Sequence, residues 1–444
     1  MELDFLRDDV SKLYRRLCPA AVMSMLTATV ASLVDIVILS MLLGSNMISA
    51  VSVCMPIYMM LNAIALMISA GAATVYAYYI GQENRAESNR FFSAALSFTL
   101  LVGAALTVWG VLDTRNIVLF LGANEAIVGI ANEYAGVLMW FLVPLMIYGM
   151  MLFFVRYDSD PNLVVMATVT VAGVNIVLDL LFVGPFQWGA WGAALATCLA
   201  YTAGMLVELS HFLKKKNTLR FSLSAFTPGR VWRSLKAGFP LSIAQFGMAL
   251  ATAVFNIVII KVGGEDEVAI YAVVTQISLI ALAFYEGVAQ AGQPVLSASC
   301  GGGKHDRVRA TLRLGFQYEA LITGLCTLMY LFGAPLIARA FSITQEPMLG
   351  SMLYAIRAYS LAIPVTGFNV LILYYFQARE KFVFSTTISL LHSTVFMILG
   401  LLLTVGLFGR MGIWWTWLVA EAATLVVSAA MLKYSIKKEG GVAA

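Results

Sequence analysis

VDIVILSMLLG, residues 34–44, returns 221 residues later as FNIVIIKVGGE, residues 255–265, with Asn256 standing where the first copy carries Asp35. The correspondence spreads outward from this pair. At the same lag Pro19 falls on Pro240 and Gly71 on Gly292. A lag one residue shorter puts Tyr134-Ala135 and Pro144 on Tyr354-Ala355 and Pro364, and one two residues longer puts Gly189 and Trp191 on Gly412 and Trp414. Self-similarity at so long a period marks a duplicated architecture. An acid kept in only one copy of a membrane bundle suggests a transporter whose coupling ion binds on one side.

The 444 residues are 61% hydrophobic and 12% charged, with a mean hydropathy of +0.86. A soluble chain of this size needs roughly a quarter of its residues charged to cover its surface, so this one is dissolved in lipid. Its apolar stretches mostly exceed twenty residues, longer than the core of a secretory signal. The opening segment, MELDFLRDDVSKLYRR, is polar and mixed in charge, and no cleavable signal is expected. A net charge of +4 without basic-aromatic interleaving gives no reason to expect nucleic acid. Cys18, Cys54, Cys198, Cys300 and Cys326 lack CxxC spacing and read as small core residues. His211, His305 and His392 are scattered without a second ligand at helical spacing, so neither a metal site nor a cofactor is expected.

Twelve helical spans are predicted, at about 14–41, 47–80, 92–112, 129–155, 161–184, 189–213, 233–262, 268–300, 308–335, 350–378, 381–408 and 411–435. Only helices or closed barrels satisfy backbone groups in hydrocarbon, and these runs are too long for barrel strands. The fold class is therefore an all-α membrane protein, with twelve spans in two pseudo-symmetric six-helix lobes. Of the 28 Lys and Arg residues, 23 fall on one side. That side holds the amino-terminal segment, Arg85, Arg90, Arg156, the central loop through Lys236, Lys304 to Arg313, Arg379, Lys381 and the carboxyl end. The other side keeps Arg115, Lys261, Arg339, Arg410 and Arg357. The positive-inside rule then puts both termini in the cytoplasm, in the plasma membrane. The expected division is an N-lobe over 1–217, a cytoplasmic linker over 218–232 within the polar run KKKNTLRFSLSAFTPGR (214–230), and a C-lobe over 233–444. Six spans per copy keep both lobes in the same orientation, with a substrate cavity expected between them.

An acid at bilayer depth costs at least a few kcal/mol and needs a reason. Asp35 sits seven residues from the outer end of the first span, roughly 10 Å deep at ~1.5 Å per residue. Asn175 and Asp179 share one face of the fifth span, Thr197 descends on the sixth, and Tyr134 lies near the outer end of the fourth. Two carboxylates, an amide, a hydroxyl and a phenol suit Na⁺, or a proton shared between carboxylates that cannot both ionise cheaply at close range. Glu286, in AFYEGVAQAGQP, is a candidate for the cavity, along with an aromatic and methionine wall that includes Trp140, Met146, Tyr148, Phe284, Tyr285 and Phe368. Such side chains suit organic cations through adaptable packing and cation–π contact. Gln245 and Asn256 are further polar cavity candidates. Glu421 is expected to pair within its lobe, and Glu133 and Glu319 to be solvated near helix ends.

At these residues the chain resembles the multidrug and toxic compound extrusion (MATE) family, its bacterial DinF-like and MepA-like branch, over nearly its whole length. The patterns that carry the likeness are Pro19 with VDIVILSMLLG (34–44), ISAGAATVYAYYIGQENRAESNR (68–90), VRYDSDPN (155–162), VNIVLDLLFVGPFQWGAWGAALAT (174–197) and QAGQPVLSASCGGGKHDRVR (290–309). The resemblance implies export of cationic or amphipathic drugs against inward H⁺ or Na⁺. It matches Asp35 to the family's first-helix acid, Asn175 and Asp179 to its fifth-helix pair, Thr197 to its sixth-helix hydroxyl and Tyr134 to its fourth-helix tyrosine. Where some members carry second-lobe acids in the seventh and tenth helices, this chain has Gln245, Asn256 and Asn369.

The expected mechanism is alternating access by a monomer, with the lipid bilayer and small organic molecules as its partners. Two other readings fit the sequence less well. A lipid-linked precursor flippase of related fold calls for an arginine-lined cavity, and only Arg357 is a plausible intramembrane arginine. A polytopic enzyme needs an acid–base or nucleophile constellation, which the short loops do not present.

Overall fold

The computed structural model describes residues 3–43, 45–341, 343 and 347–440. Gly44, which ends the first repeat motif, falls outside them, as does the side chain of Lys438. Every regular element among the described residues is helical. In chain order these are α1 (Val10–Leu42), α2 (Ser45–Gly81), α3 (Arg85–Phe120), α4 (Val128–Trp140), α5 (Leu142–Tyr157), α6 (Pro161–Val183) and α7 (Gly189–Leu209). There follow α8 (Pro228–Gly301), α9 (His305–Ala340), α10 (Met348–Ser360), α11 (Ile363–Ala378), α12 (Phe382–Leu390), α13 (Phe396–Phe408) and α14 (Gly412–Gly440).

Among the described residues, nine helical stretches are long and apolar enough to cross a membrane, and the bent pair α4–α5 makes a tenth. Two of these, Pro228–Gly301 with 74 residues and Phe382–Lys437 with 56, are long enough to cross twice, so twelve crossings are compatible with the structure. The protein is a multi-pass helical membrane protein. Within α8 the turn between crossings is Gly264, whose φ of 74° lies in the left-handed region open to glycine.

Prolines at matching places in the repeat break two spans. The fourth span bends by 55° between α4 and α5, at Phe141, three residues before Pro144. The tenth is interrupted between α10 and α11, three residues before Pro364. A proline lacks the N–H that would serve the carbonyl four residues back, and its ring crowds that carbonyl. At Pro364 the freed carbonyl is that of Ser360, and Thr327 Oγ1 donates to it at 3.1 Å. Such replacement donors are what make a broken helix tolerable in hydrocarbon.

The chain divides into two compact units. One gathers Met23–Gly238 with residues 1–8 and 301–303, and the other gathers Asp9–Val22, Phe239–Cys300 and the chain from Lys304 onward. The division does not follow the repeat boundary, because the first turns of α1 cluster with the second unit and those of α8 with the first. Glycine makes the latter possible. A Cβ on Gly238 would strike the Met67 carbonyl of α2, and one on Gly71 would strike the Ser234 carbonyl of α8. The segment expected as a linker, 218–232, lies wholly in the first unit. It is strapped down there: Arg220 N donates to Asn89 Oδ1 at 2.9 Å, Ser222 N to Ser93 Oγ at 3.0 Å, and Arg230 pairs with Glu87 at 2.9 Å.

A buried carboxylate pair in the first unit

Six helices of the first unit converge near the C-terminal end of α1. Their apolar packing includes Leu39 of α1 with Leu43 just beyond it, Cys54 of α2, Val118 of α3, Val137 and Leu138 of α4, Val183 of α6, and Ala194 and Cys198 of α7. Inside this shell the carboxyl groups of Asp35 (α1) and Asp179 (α6) meet side by side. Asp179 is 0% exposed and Asp35 is half-buried. Among the described residues, both Oδ atoms of Asp179 and Oδ1 of Asp35 are buried with no hydrogen-bond donor. Asn175, one turn before Asp179, lies beside it and turns its amide to Thr197 Oγ1 of α7 at 3.4 Å. The Thr197 hydroxyl itself donates to the Ala193 carbonyl at 3.1 Å, which leaves its lone pairs facing the amide. Tyr134 of α4 closes the group, buried and next to Asp35. All five residues singled out in the sequence therefore fall in one place.

This arrangement has a definite chemistry. Two carboxyls in contact within an apolar shell repel strongly if both are charged, and the repulsion is relieved by one shared proton or one small cation. The surrounding donor set consists of oxygens and one amide, which suits a hard monovalent ion as well as a proton. Among the described residues no group of three or more His, Cys, Asp or Glu side chains gathers at metal-ligand spacing.

Two further members escaped the sequence reading. Tyr58 of α2 and Tyr201 of α7 share a hydroxyl–hydroxyl hydrogen bond of 2.8 Å, and both lie near Asp35. The available signal was spacing, since Tyr201 follows Thr197 by four residues and so shares its helix face. Tyr148, a cavity candidate, is buried in the first unit, its ring edge-on to Tyr201 with centroids 5.2 Å apart.

The remaining candidates lie in the second unit, except Trp140, which is exposed, and Met146, which is buried in the first. Glu286 is half-buried and accepts from Gln290 Nε2 at 3.0 Å. Phe284 is half-buried, Tyr285 is buried, and Phe368 packs on Phe316 with centroids 5.7 Å apart. Gln245 and Asn256 are exposed. Glu421 pairs within its unit as expected: Asn369 Nδ2 donates to its Oε2 at 2.8 Å, and His392 Nδ1 lies 2.7 Å from its Oε1.

Glu133 is exposed, as expected, but Glu319 is not solvated. It is 0% exposed, and neither carboxyl oxygen has a hydrogen-bond partner among the described residues. The reason is the length of α9, which begins at His305 and puts Glu319 four turns inside the helix.

His211, which has no second ligand at helical spacing in the sequence, is the centre of a buried cluster at the other end of the first unit. Its Nε2 lies 2.8 Å from Asp158 and its Nδ1 3.2 Å from Asp160, so only the doubly protonated ring donates on both sides. Lys214 and Lys216 reach Asp160 at 2.8 and 2.7 Å. Thr218 donates to Asp158 through its backbone N–H at 2.8 Å and also through its hydroxyl. Burial works against a charged Asp160, but the hydrogen bonds from His211, Lys214 and Lys216 outweigh it and hold that carboxyl well below the usual range.

A duplicated bundle of membrane helices with a buried carboxylate pair in one unit defines a class: polytopic membrane transporters. The profile of the MatE family matches the chain twice, over residues 19–181 and 240–403, in step with the internal repeat. The chain belongs to that family, the multidrug and toxic compound extrusion transporters. It is similar to the multidrug export protein MepA of Staphylococcus saprophyticus, at 23% identity over 92% of this chain and 89% of the relative. It is also similar to the probable multidrug resistance protein YoeA of Bacillus subtilis, at 24% identity over 72% and 71% of the two chains. A multidrug resistance MATE family transporter solved in an outward-facing conformation superimposes with a TM-score of 0.92, over 98% of this chain and 97% of that one, at 23% identity.

Proposed function

We propose that the protein is a cation-coupled antiporter that exports cationic or amphipathic drugs by alternating access, with Asp35 and Asp179 as the coupling site. The observation that carries this reading is the contact between those two carboxyls, three of whose four oxygens are buried without a hydrogen-bond partner among the described residues. The lysine and arginine bias supports a cytoplasmic location for both termini, and hence an outward-facing side for the carboxylate end of the first unit. H⁺ or Na⁺ arriving from outside neutralises the pair, and Asn175, Thr197 and Tyr134 supply further oxygens and an amide around it. Relief of the carboxylate repulsion lets the helices that carry it repack, and that repacking is the step linked to drug release. The printed names of the relatives, a multidrug export protein and a probable multidrug resistance protein, support drugs as the cargo.

The energetics are sufficient. One charge moving down ~100 mV is worth ~2.3 kcal/mol, about a fifty-fold gradient of a neutral substrate. A cationic drug exchanged one for one moves no net charge, and then the concentration gradient of the ion does the work. The test is ethidium or fluoroquinolone transport in proteoliposomes with H⁺ and Na⁺ gradients imposed separately. Transport driven by one of them supports the reading, and transport indifferent to both contradicts it.

A further inference from the structure

A polar stripe runs along one face of α7 and into the 3₁₀ turn that follows it, Ser210–Leu213. Thr197, Tyr201, Glu208 and His211 are spaced by four, seven and three residues, which keeps them on one side of a 3.6-residue helix. Gly204 sits on the same face, and there the ring of Tyr148 from α5 crosses so closely that a Cβ would lie 2.9 Å from Cε2. The stripe begins at the carboxylate pair and ends at the His211 cluster, all within the first unit.

Its middle is occupied by a carboxyl with no assigned task. Glu208 is 0% exposed, and neither oxygen has a hydrogen-bond partner among the described residues. The ionisable groups that face it are Arg156 and Tyr148, both from α5. The hydroxyl of Tyr148 also meets Thr168 of α6, which shares a 2.9 Å hydrogen bond with Ser24 of α1. Above them stands the 2.8 Å Tyr58–Tyr201 hydroxyl pair, beside Asp35. A carboxyl buried this deeply, with no hydrogen-bond partner among the described residues and the Arg156 charge set against its desolvation, is a functional candidate.

We propose that the coupling ion is a proton and that it leaves the Asp35–Asp179 pair towards the cytoplasm through Tyr58, Tyr201 and Tyr148 to Glu208, which serves as the relay. The inference rests on the cation-coupled reading above and narrows it. Each hydroxyl accepts a proton on its oxygen as it gives up its own. The aspartate pair therefore loses one proton, the Glu208 carboxylate gains one, and Glu208 then gives it up to cytoplasmic water. Na⁺ has no such route, because it requires several oxygens at every stop and phenol hydroxyls spaced along a helix do not form such cages. The path is interrupted where Tyr201 and Tyr148 meet through their rings and not through hydroxyls. A coupled exchanger needs such an interruption, since a continuous chain would leak protons.

The test compares two modes of transport in proteoliposomes. Drug export against a proton gradient requires the relay, whereas drug-for-drug exchange only cycles the drug-loaded protein. Glu208→Gln is expected to slow proton-driven transport at least tenfold while leaving drug exchange within twofold of wild type, and Glu208→Asp to recover most of the loss. Wild-type proton-driven rates in Glu208→Gln overturn the relay. So does an equal loss of both modes, which marks a purely structural carboxyl. Transport driven by Na⁺ alone also overturns the relay while leaving the carboxylate coupling site intact. Full ion-driven transport by Asp35→Asn and Asp179→Asn, in contrast, removes the coupling site itself, whatever Glu208 does.

Discussion

The hydroxyls of Tyr58 and Tyr201 lie 2.8 Å apart, joining α2 to α7 across 143 residues of sequence just below the carboxylate pair. Removing either hydroxyl strands the other in a poorly solvated place. Tyr58→Phe and Tyr201→Phe should each cost about 1 kcal/mol, with the double variant little worse than either single one. Thermal denaturation in detergent of the four proteins measures the coupling, and strictly additive losses would contradict a direct bond.

The His211 cluster predicts a stability effect with a defined pH sign. His211→Ala leaves Asp158 and Asp160 buried beside fewer cations and should cost about 3–5 kcal/mol. Asp160 has a carboxyl held below its unfolded value, which is near 3.9. Its contribution is therefore complete above about pH 4 and is lost as pH falls through the folded value. The melting temperature difference between wild type and Asp160→Asn should thus be largest at about pH 5 to 6, shrinking in stronger acid as Asp160 is protonated and shrinking above about pH 6.5 as His211 loses the proton that Asp158 and Asp160 help it hold. A difference that grows as pH rises above about 6.5 would contradict a charged His211–Asp160 pair.

Gly71 and Gly238 test the close approach of α2 to the start of α8. Alanine at either position meets a backbone carbonyl, which cannot swing aside, and about 1–3 kcal/mol of destabilisation is expected. Gly229, near the first turn of the same helix, has open space where a Cβ would go. Gly229→Ala should be neutral or slightly stabilising, since alanine is the better helix former, and a loss there equal to that of Gly238→Ala would contradict a contact specific to Gly238.

Glu421 is predicted to be structural. It holds Asn369 and His392 together in the second unit, and Ser428 donates to Asn369 Oδ1 at 2.7 Å behind them. Glu421→Ala should lower the melting temperature by several degrees, whereas Glu421→Gln, which still accepts from Asn369, should lose less. Neither should alter which ion drives transport, as read by separate pH and Na⁺ gradients.

Hydropathy made the spans legible because lipid imposes length and apolarity on every crossing. Asp35 and Asp179 were legible because an acid at that depth is costly and Asn256 replaces one of them in the second copy. The tyrosines were not, since phenols are common in apolar helices and only their meeting across α2 and α7 makes Tyr58 and Tyr201 distinctive. His211 was missed because its partners lie 51 and 53 residues away and on another helix end. Glu319 was misplaced because α9 runs beyond its hydrophobic window, so distance from the last arginine was a poor measure of depth.

Ion-driven drug accumulation by Asp35→Asn and Asp179→Asn, in proteoliposomes matched for protein content, tests the coupling site most directly. Both variants should still bind drug but build less than about a tenth of the wild-type gradient under either ion. Wild-type gradients in both would contradict the assignment of coupling to this pair.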